Sequence, residues 1–416
     1  MSGPFLLVLI VAGAYLAAHW AFEWLGQRYL LVSGAEYLLL GILLGPQVSG
    51  LIQASVLDGF APLMTLALGW IGAVVGSHFY LPLLVRTRGV LYRVAFVEAT
   101  LSLVVVAAAM TAALAWLYQL PLGDTVGPAV ALAAIATATS PAGVAILTRR
   151  LVRRGVVVRQ IEVAAGVDAF VAIVAFSLLL CVAHAAPPAT VRAPTPTEWA
   201  VISVAIGCVG GALFHLFVGS ERDEDRLFIS IAGAVILASG AASYLRLSPL
   251  LPAMLIGAML VNTTRNRDQI RHALSRVERP FYFVLLIFAG AAWDPGTHAW
   301  WVVPALVFLI VRTVVKLASA RLAARLNGML PSLGPHWGRA LLGQGGLAIA
   351  IALNYHLFHG TLLFPDVVFT AAVASVLVTD LSSARLVHSV VRRYTRRIFQ
   401  TPTPVEPHTA LLPDKE

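Results

Sequence analysis

Apolar stretches long enough to cross a bilayer recur along almost the whole chain, and they constrain its fold more than any other feature. A helix needs about 20 consecutive apolar residues to span the hydrocarbon core. Because no water in that core can satisfy backbone groups, such stretches form helices with internal hydrogen bonds. Of the 416 residues, 59% are hydrophobic and only 12% are charged, which lies outside the range of soluble domains. We therefore predict an all-α polytopic membrane protein.

The hydropathy pattern predicts about thirteen transmembrane helices. They cover residues 4–25, 35–53, 61–84, 92–118, 126–148, 160–184, 198–219, 226–245, 248–263, 279–294, 299–325, 338–358 and 363–391. The first stretch has neither a basic start nor a small-residue cleavage site, so we expect a span rather than a signal peptide. The Pro-rich segment 184–199 is predicted to be an external linker.

Arginines concentrate in alternate connections between these spans. One side carries most of them, and the other carries few, with Arg192 and Arg246 as the clear exceptions. The positive-inside rule then places the N-terminus outside and the C-terminus in the cytoplasm, as an odd number of spans across the plasma membrane requires. The formal charge of +9 belongs to these loops, so we expect the lipid bilayer as a partner and no nucleic acid.

Two predicted spans contain helix breakers near mid-membrane. The fifth contains ATATSPAGV at 136–144, and the twelfth contains GQGGLAIA at 343–350. Gly and Pro weaken a membrane helix, and a single break also fits a kink or a close helix contact. The two breaks lie seven spans apart, an odd offset, so equivalent spans run in opposite directions. Paired broken helices in an inverted repeat point to a transport site.

Ionisable residues inside the spans lie at nearly the same depth as these breaks. Charged side chains in spans are rare and usually functional. With a rise of about 1.5 Å per residue, Asp168 and Lys316 both lie roughly 13 Å from the arginine-rich edge. By the same rise, Pro141 lies roughly 12 Å and Gln344 roughly 8 Å from that edge. Four spans thus bring polar or broken elements to one layer.

The charged residues have structural interpretations beside the functional ones. A purely structural role is unfavourable for Asp168, because an unpaired carboxylate in the bilayer is costly. Lys316 either carries a proton or serves only as the partner of Asp168. Arg312 lies one turn from Lys316 on the same helix face, and we predict a structural counter-charge whose partner is Glu98.

The chain lacks the sequence patterns of soluble enzymes and of primary pumps. It has no HExxH, no Cys/His metal spacing, no Walker loop and no GxGxxG after a strand. We therefore expect neither an enzyme nor a cofactor. Cys181 and Cys208 lie in apolar runs and are predicted to be small core residues rather than a disulfide.

Several segments, taken as an ordered set, resemble the monovalent cation:proton antiporter superfamily. They are EYLLLGILLGP at 36–46, ATSPAGV at 138–144, AAGVDAFVAI around Asp168, LSPLLPAMLIGAML at 247–260, VRTVVKLASARLAARL at 311–326 and GQGGLAIAIAL at 343–353. The resemblance implies that the family's essential aspartate is Asp168 and that its basic residue is Lys316 or Arg312. It also implies that the two broken spans are crossed, partly unwound helices. The family usually has Asn, Asp or Gln before the aspartate, whereas this chain has Val167.

The resemblance further implies a homodimer in which each chain has a dimerisation half and an ion-carrying half. The dimerisation half would comprise 1–91 and 226–294, the ion-carrying half 92–184 and 295–391, the external linker with a connecting span 185–225, and a cytoplasmic basic tail 392–416.

We accordingly expect a secondary antiporter that exchanges a monovalent cation, Na⁺ before Li⁺ or K⁺, for H⁺ at Asp168. Thr137, Thr139 and Ser140 either complete the cation shell or bond back to their own helix. The unwound elements, which free backbone carbonyls, are Pro141, Gly143, Gly343, Gln344, Gly345 and Gly346. An acid at position 167 could pair with Lys316 and allow a second proton to move. Valine cannot do so, and Val167 therefore favours electroneutral exchange. The alternatives are a potassium efflux pathway or channel on the same fold, an anion or organic-substrate carrier, and a non-transporting membrane sensor.

Overall fold

Helices make up all the regular structure of the residues that the computed structural model describes, which are 34–139, 156–184, 194–218, 223–264, 267–294, 301–358 and 363–400. The helices are α1 (Ala35–Leu44), α2 (Ala54–Gly59), α3 (Ala61–Ser77), α4 (Leu81–Arg86), α5 (Gly89–Tyr118), α6 (Leu122–Thr137), α7 (Val156–Val182), α8 (Pro196–Val218), α9 (Glu224–Tyr244), α10 (Leu250–Thr263), α11 (Arg267–Ala291), α12 (Val302–Leu326), α13 (Leu330–Leu333), α14 (Gly345–His356) and α15 (Pro365–Gln400). A 3₁₀ helix, Trp337–Leu341, precedes α14. The predicted all-α fold class is confirmed.

Six of these helices are long and apolar enough to cross a membrane, namely α5, α7, α8, α9, α12 and α15. Three further apolar helices, α3, α6 and α10, are shorter, with 10–17 residues each. Large side chains point away from the protein on these helices: Trp116 is 75% exposed and Leu216 is 77% exposed. Such apolar surfaces are unfavourable in water and fit contact with lipid. The first predicted span, 4–25, lies outside the described residues.

The long helices pack into two groups. The first group contains α1, α3, α8, α9, α10 and α11, and the second contains α5, α6, α7, α12, α14 and α15. The tight pair of α3 and α10 illustrates the packing: a Cβ on Gly257 would lie only 2.0 Å from the carbonyl oxygen of Ala73. Small residues allow such close approach between membrane helices. The groups meet where α7 and α14 contact α3, and where α11 contacts α14.

Two predicted spans near the start of the described chain are shorter than expected. The span predicted at 35–53 is helical only to Leu44, because Gly45 is extended and Pro46 follows it. The span predicted at 61–84 is two helices, since α3 ends at Ser77 and α4 begins at Leu81 with a proline in its first turn.

Two other predicted spans are parts of longer helices. The span predicted at 279–294 belongs to α11, which already begins at Arg267 and continues through Pro280. The hydropathy pattern detects only the apolar half of such a helix, so its arginine-rich first half was wrongly assigned to a loop. Likewise α15 continues to Gln400, into the predicted basic tail.

Both predicted helix breaks fall next to the ends of helices. Helix α6 ends at Thr137, and Ala138 has an extended backbone with φ −55° and ψ 124°. On the other side, Leu342, Gly343 and Gln344 separate the 3₁₀ helix from α14. The second half of the fifth predicted span, with Ser140, Pro141 and Gly143, lies outside the described residues.

Candidate functional site

The end of α6 and the beginning of α14 meet in the interior of the second helix group. The Gln344 side chain donates from Nε2 to the carbonyl of Ile135 at 3.0 Å. In the opposite direction, the Thr139 hydroxyl lies 3.2 Å from the carbonyl of Leu341. The side chain of Gln344 therefore satisfies a carbonyl at the end of α6, and Thr139 lies against a carbonyl at the end of the 3₁₀ helix.

Asp168 lies on α7 directly beside this crossing and is fully buried. Its Oδ2 accepts hydrogen bonds from the Thr139 hydroxyl at 2.6 Å and from the Lys316 ammonium at 2.8 Å. Its Oδ1 is buried and, among the described residues, has no hydrogen-bond partner. Within the described ranges, the carboxylate thus keeps one oxygen for a further ligand.

Lys316, on α12, is 1% exposed and has oxygen partners for all three of its N–H bonds. Nζ lies 2.8 Å from Asp168 Oδ2 and 3.2 Å from Glu98 Oε1. It also donates to the carbonyl of Thr137, the last residue of α6, at 3.1 Å. One ammonium therefore connects two carboxylates and the end of a broken helix.

Glu98, on α5, is fully buried and belongs to this network. Its Oε2 accepts from Lys316 at 3.3 Å, and its Oε1 accepts from Ser102 at 2.9 Å and from Ser319 at 3.1 Å. The expectation that Glu98 pairs with Arg312 is therefore wrong: the carboxylate reaches the lysine one turn further along α12. Spacing along a helix cannot distinguish two residues on the same face when both lie near one acid.

Arg312 is also fully buried on α12. Its Nη2 donates to the carbonyl of Leu342 at 2.9 Å, in the segment that precedes α14. In the described part of the chain, its Nε and Nη1 have no hydrogen-bond partner.

A further buried acid, Asp380, was not among the predicted site residues; it lies within α15 and is 4% exposed. Its carboxylate accepts from the backbone N–H of Gln344 at 2.9 Å and from that of Gly345 at 3.1 and 3.2 Å. These N–H groups lie at the start of α14. Asp380, on α15, therefore caps the N-terminus of α14. The sequence did contain an indication of this role. Asp380 lies inside the predicted span 363–391, and acids inside spans are rare, as at Asp168.

The two threonines of the predicted cation shell differ in their contacts. Thr139 directs its hydroxyl to Asp168, whereas the hydroxyl of Thr137 donates to the carbonyl of Ala133 in its own helix at 2.8 Å. Only the backbone carbonyl of Thr137 faces the network, where it binds Lys316. Ser140 lies outside the described residues.

The glycines around Gln344 allow the chain to turn and pack closely. Gly345 has φ +63°, a left-handed conformation that favours glycine, and this residue begins α14. A Cβ on Gly346 would lie 1.8 Å from the ring of Tyr282, on α11 of the first helix group. Gly343 packs against Ser383 of α15, where a Cβ would lie 2.9 Å from that side chain. The described breaker residues thus serve the geometry of the crossing, and the side chain of Gln344 stabilises it.

A cavity of about 420 Å³ lies against α5 and α7 beside the site. Phe79, which follows α3, lines it with Phe96 of α5, Phe170 of α7 and Val167, the residue directly before Asp168. Arg93 and Asn327 also line it, near the arginine-rich connections. The cavity thus reaches the residue next to the buried carboxylate from the arginine-rich side.

Comparisons with known proteins identify a family and a similar fold for this chain. The family model described as sodium/hydrogen exchanger, transmembrane, matches residues 7–388. The fold is similar to a structure of the sodium proton antiporter MjNhaP1 from Methanocaldococcus jannaschii at pH 8, with a TM-score of 0.71 and 14% identity over 95% of this chain and 99% of that one. An electron-microscopy structure of the same antiporter gives a TM-score of 0.65 and 16% identity, over 97% and 100% of the two chains. Comparison with the sequences of curated proteins gives no significant match.

Proposed function

The chain belongs to the sodium/hydrogen exchanger family, and on this premise we propose that it is a secondary antiporter that exchanges Na⁺ for H⁺ at Asp168. The observation that carries the proposal is the Asp168 carboxylate, buried where the two broken helices cross, with Lys316 on one oxygen and the other oxygen free among the described residues. As a multi-pass membrane protein of an antiporter family, the protein needs one site that accepts either ion. A single carboxylate has this property, because it holds a proton or a cation but not both.

Lys316 marks the position that the cation takes in this proposal. Its ammonium contacts Asp168 Oδ2 and the carbonyl of Thr137, which are oxygen ligands of the kind that Na⁺ prefers. The hydroxyl of Thr139 and the second carboxylate oxygen lie beside them. Unwound helix ends provide such carbonyls in transporters. Na⁺ binding therefore requires the ammonium to move away from Asp168.

Alternating access follows from the two helix groups. In this proposal the second helix group carries the ion, and the first helix group, which includes the connecting helix α8, stays fixed. The cavity beside Val167 lies against α5 and α7 of the second group and would give access to Asp168 from the arginine-rich side. Rocking of the second group would close this route and open one on the opposite side.

Exchange is proposed to be electroneutral, with one proton for each cation. Position 167 is a valine, so no second ionisable group adjoins Asp168 on α7. Lys316 has another carboxylate partner in Glu98, so it retains a counter-charge when the cation occupies Asp168. Only Asp168 then changes its protonation during the cycle.

The experiment that tests this function is cation-driven proton flux in proteoliposomes, followed with a trapped pH dye. We expect Na⁺ to drive proton flux, and Li⁺ and K⁺ in parallel assays to show the selectivity. A potassium–valinomycin potential, imposed in the Na⁺ assay, should leave rate and end point unchanged. One net charge per cycle would couple to about 2.3 kcal/mol per 100 mV, so a voltage-dependent end point would contradict electroneutral exchange. Flux driven by K⁺ alone would favour a potassium efflux pathway, and no flux with any cation would favour a sensor.

The arginine asymmetry supports an N-terminus outside and a C-terminus in the cytoplasm of the plasma membrane. The test is a Ser2→Cys variant in which Cys181 and Cys208 are replaced by alanine. We expect an impermeant maleimide added outside intact cells to label it. Labelling only after the cytoplasmic side is exposed would contradict this topology.

We also propose a homodimer through the first helix group, which light scattering in detergent should show as twice the chain's 44.2 kDa.

A further inference from the structure

The cavity beside Val167 has mostly apolar walls, although the proposed exchange moves ions past it. Its volume of about 420 Å³ is that of a binding pocket for an organic ligand. Phe96, on α5, is 55% exposed and Phe170, on α7, is 38% exposed, so the cavity is open to its surroundings. Both helices are long and apolar enough to cross the bilayer, whose acyl chains are therefore the nearest source of an apolar ligand.

The charged and amide side chains of the cavity lie at one end of it. The start of α5 lies level with Arg159 of α7, because the Arg159 guanidinium donates to the Thr87 hydroxyl at 2.8 Å. A rise of about 1.5 Å per residue places Arg93 roughly 6 Å beyond the first residue of α5 and Phe170 roughly 16 Å beyond Arg159. Asn327 caps the end of α12 on the arginine-rich side. The cavity is thus polar near this surface and apolar further in, which matches the polarity of a phospholipid in that leaflet.

Arg93 and Asn327 provide hydrogen-bond donors for a negatively charged headgroup. The Arg93 side chain is exposed, and no carboxylate of the described residues lies within ion-pair distance of it. A guanidinium can donate two parallel hydrogen bonds to one phosphate. Asn327 uses one N–H for the carbonyl of Ala323 at 2.9 Å, so its second N–H can bind a ligand. Basic pockets on the cytoplasmic side of membrane helices bind anionic headgroups in this way.

We infer that the cavity binds one phospholipid with an anionic headgroup from the leaflet on the arginine-rich side. The phosphate lies at Arg93. One acyl chain lies against Phe96, Phe170 and Val167. Because Val167 directly precedes Asp168, the bound chain covers the route from this side to the carboxylate. The binding does not depend on the proposed exchange, whereas its consequence, that anionic lipid slows the exchange, rests on it.

Photolabelling tests the binding directly and needs no transport. The full chain is reconstituted in phosphatidylcholine vesicles that contain a small fraction of phosphatidylglycerol with a diazirine at the end of one acyl chain. After illumination, peptide mapping by mass spectrometry should place the label within 92–97 of α5 and 167–170 of α7. A phosphatidylcholine probe with the same diazirine should label these peptides about fivefold less, which is the effect of one arginine on an anionic headgroup. Equal labelling by both probes, or labels only elsewhere, would overturn the inference.

The Arg93→Gln variant separates the headgroup contact from general contact with lipid. It should lower labelling by the phosphatidylglycerol probe about fivefold, to the level of the phosphatidylcholine probe. The matched control is Arg321→Gln, because Arg321 is also an exposed arginine near the same edge but does not line the cavity. Its labelling should equal that of wild type. Unchanged labelling of a folded Arg93→Gln protein would contradict the inference, and if this variant does not fold, the two probes on wild type decide.

The effect on transport is measured as Na⁺-driven proton flux in vesicles with and without phosphatidylglycerol. Flux by wild type and by Arg321→Gln should decrease when the anionic lipid is added, and the decrease should be smaller for Arg93→Gln. Since all three proteins experience the same surface potential, its influence on local ion concentrations cancels in the comparison. An equal decrease for Arg93→Gln and wild type would show that the lipid does not close the route. Absence of flux by wild type in phosphatidylcholine alone would instead overturn the proposed function, while photolabelling still decides on the lipid site.

Discussion

Asp168→Asn is expected to abolish cation-driven proton flux while leaving the protein folded. The asparagine has the same shape, and its side-chain oxygen can still accept from Thr139. It carries no negative charge and releases no proton, so neither half of the exchange can occur. Lys316 keeps Glu98 as its counter-charge, and for that reason the substitution should not leave an unpaired charge in the interior. Flux in proteoliposomes should fall to the level of empty vesicles.

The matched control for this prediction is Glu162→Gln on the same helix, which should retain exchange. Size-exclusion chromatography and the unfolding temperature in detergent establish that Asp168→Asn is folded. A folded Asp168→Asn protein with wild-type flux would remove Asp168 from the ion pathway.

Replacement of Asp380 is expected to have the largest effect on stability. Its carboxylate accepts from the N–H groups of Gln344 and Gly345 at the start of α14. Asp380→Ala leaves these buried N–H groups without an acceptor, and each unsatisfied group costs about 1–3 kcal/mol. Asp380→Asn retains one acceptor oxygen but loses the negative charge that strengthens the hydrogen bonds from these N–H groups. We expect the free energy of unfolding to decrease from wild type to Asp380→Asn and further to Asp380→Ala.

Thermal unfolding of the detergent-solubilised proteins measures this order. The control is Asp366→Ala on the same helix, because the Asp366 side chain is 70% exposed, and surface substitutions usually change stability by less than about 0.5 kcal/mol. Unchanged unfolding of Asp380→Ala would show that α14 does not depend on this cap. Transport by Asp380→Asn should also decrease. The cap positions Gln344, whose side chain binds the carbonyl of Ile135 where the two broken helices cross.

Much of the fold was predictable because its physical causes are local. The apolar stretches predicted the helices, and the glycines before α14 predicted that the chain would break there. Helix rise alone placed Asp168 and Lys316 at one depth, and their atoms lie 2.8 Å apart in the structure. The resemblance to cation:proton antiporters is confirmed by the family model and the similar fold. The exact number of spans remains a prediction.

What was not predictable depends on rotation about helix axes and on contacts between distant helices. Depth did not show that Glu98 reaches Lys316 rather than Arg312, because those two residues differ by one turn on the same face. The cap from Asp380 to Gly345 joins two helices whose relative position no local pattern defines. The amphipathic first half of α11 was missed for another reason, since hydropathy alone does not distinguish a polar helix from a loop.

The central claim is that Asp168 binds a cation or a proton but never both. The most direct test measures the initial rate of radioactive Na⁺ uptake into proteoliposomes as external Na⁺ and external pH are varied together. Competition at one site predicts that the maximal rate stays constant, while below the titration of Asp168 the apparent KM for Na⁺ rises about tenfold for each unit of decreasing pH. A maximal rate that falls with pH and is not restored by saturating Na⁺, at constant KM, would show separate sites for the two ions and contradict the account.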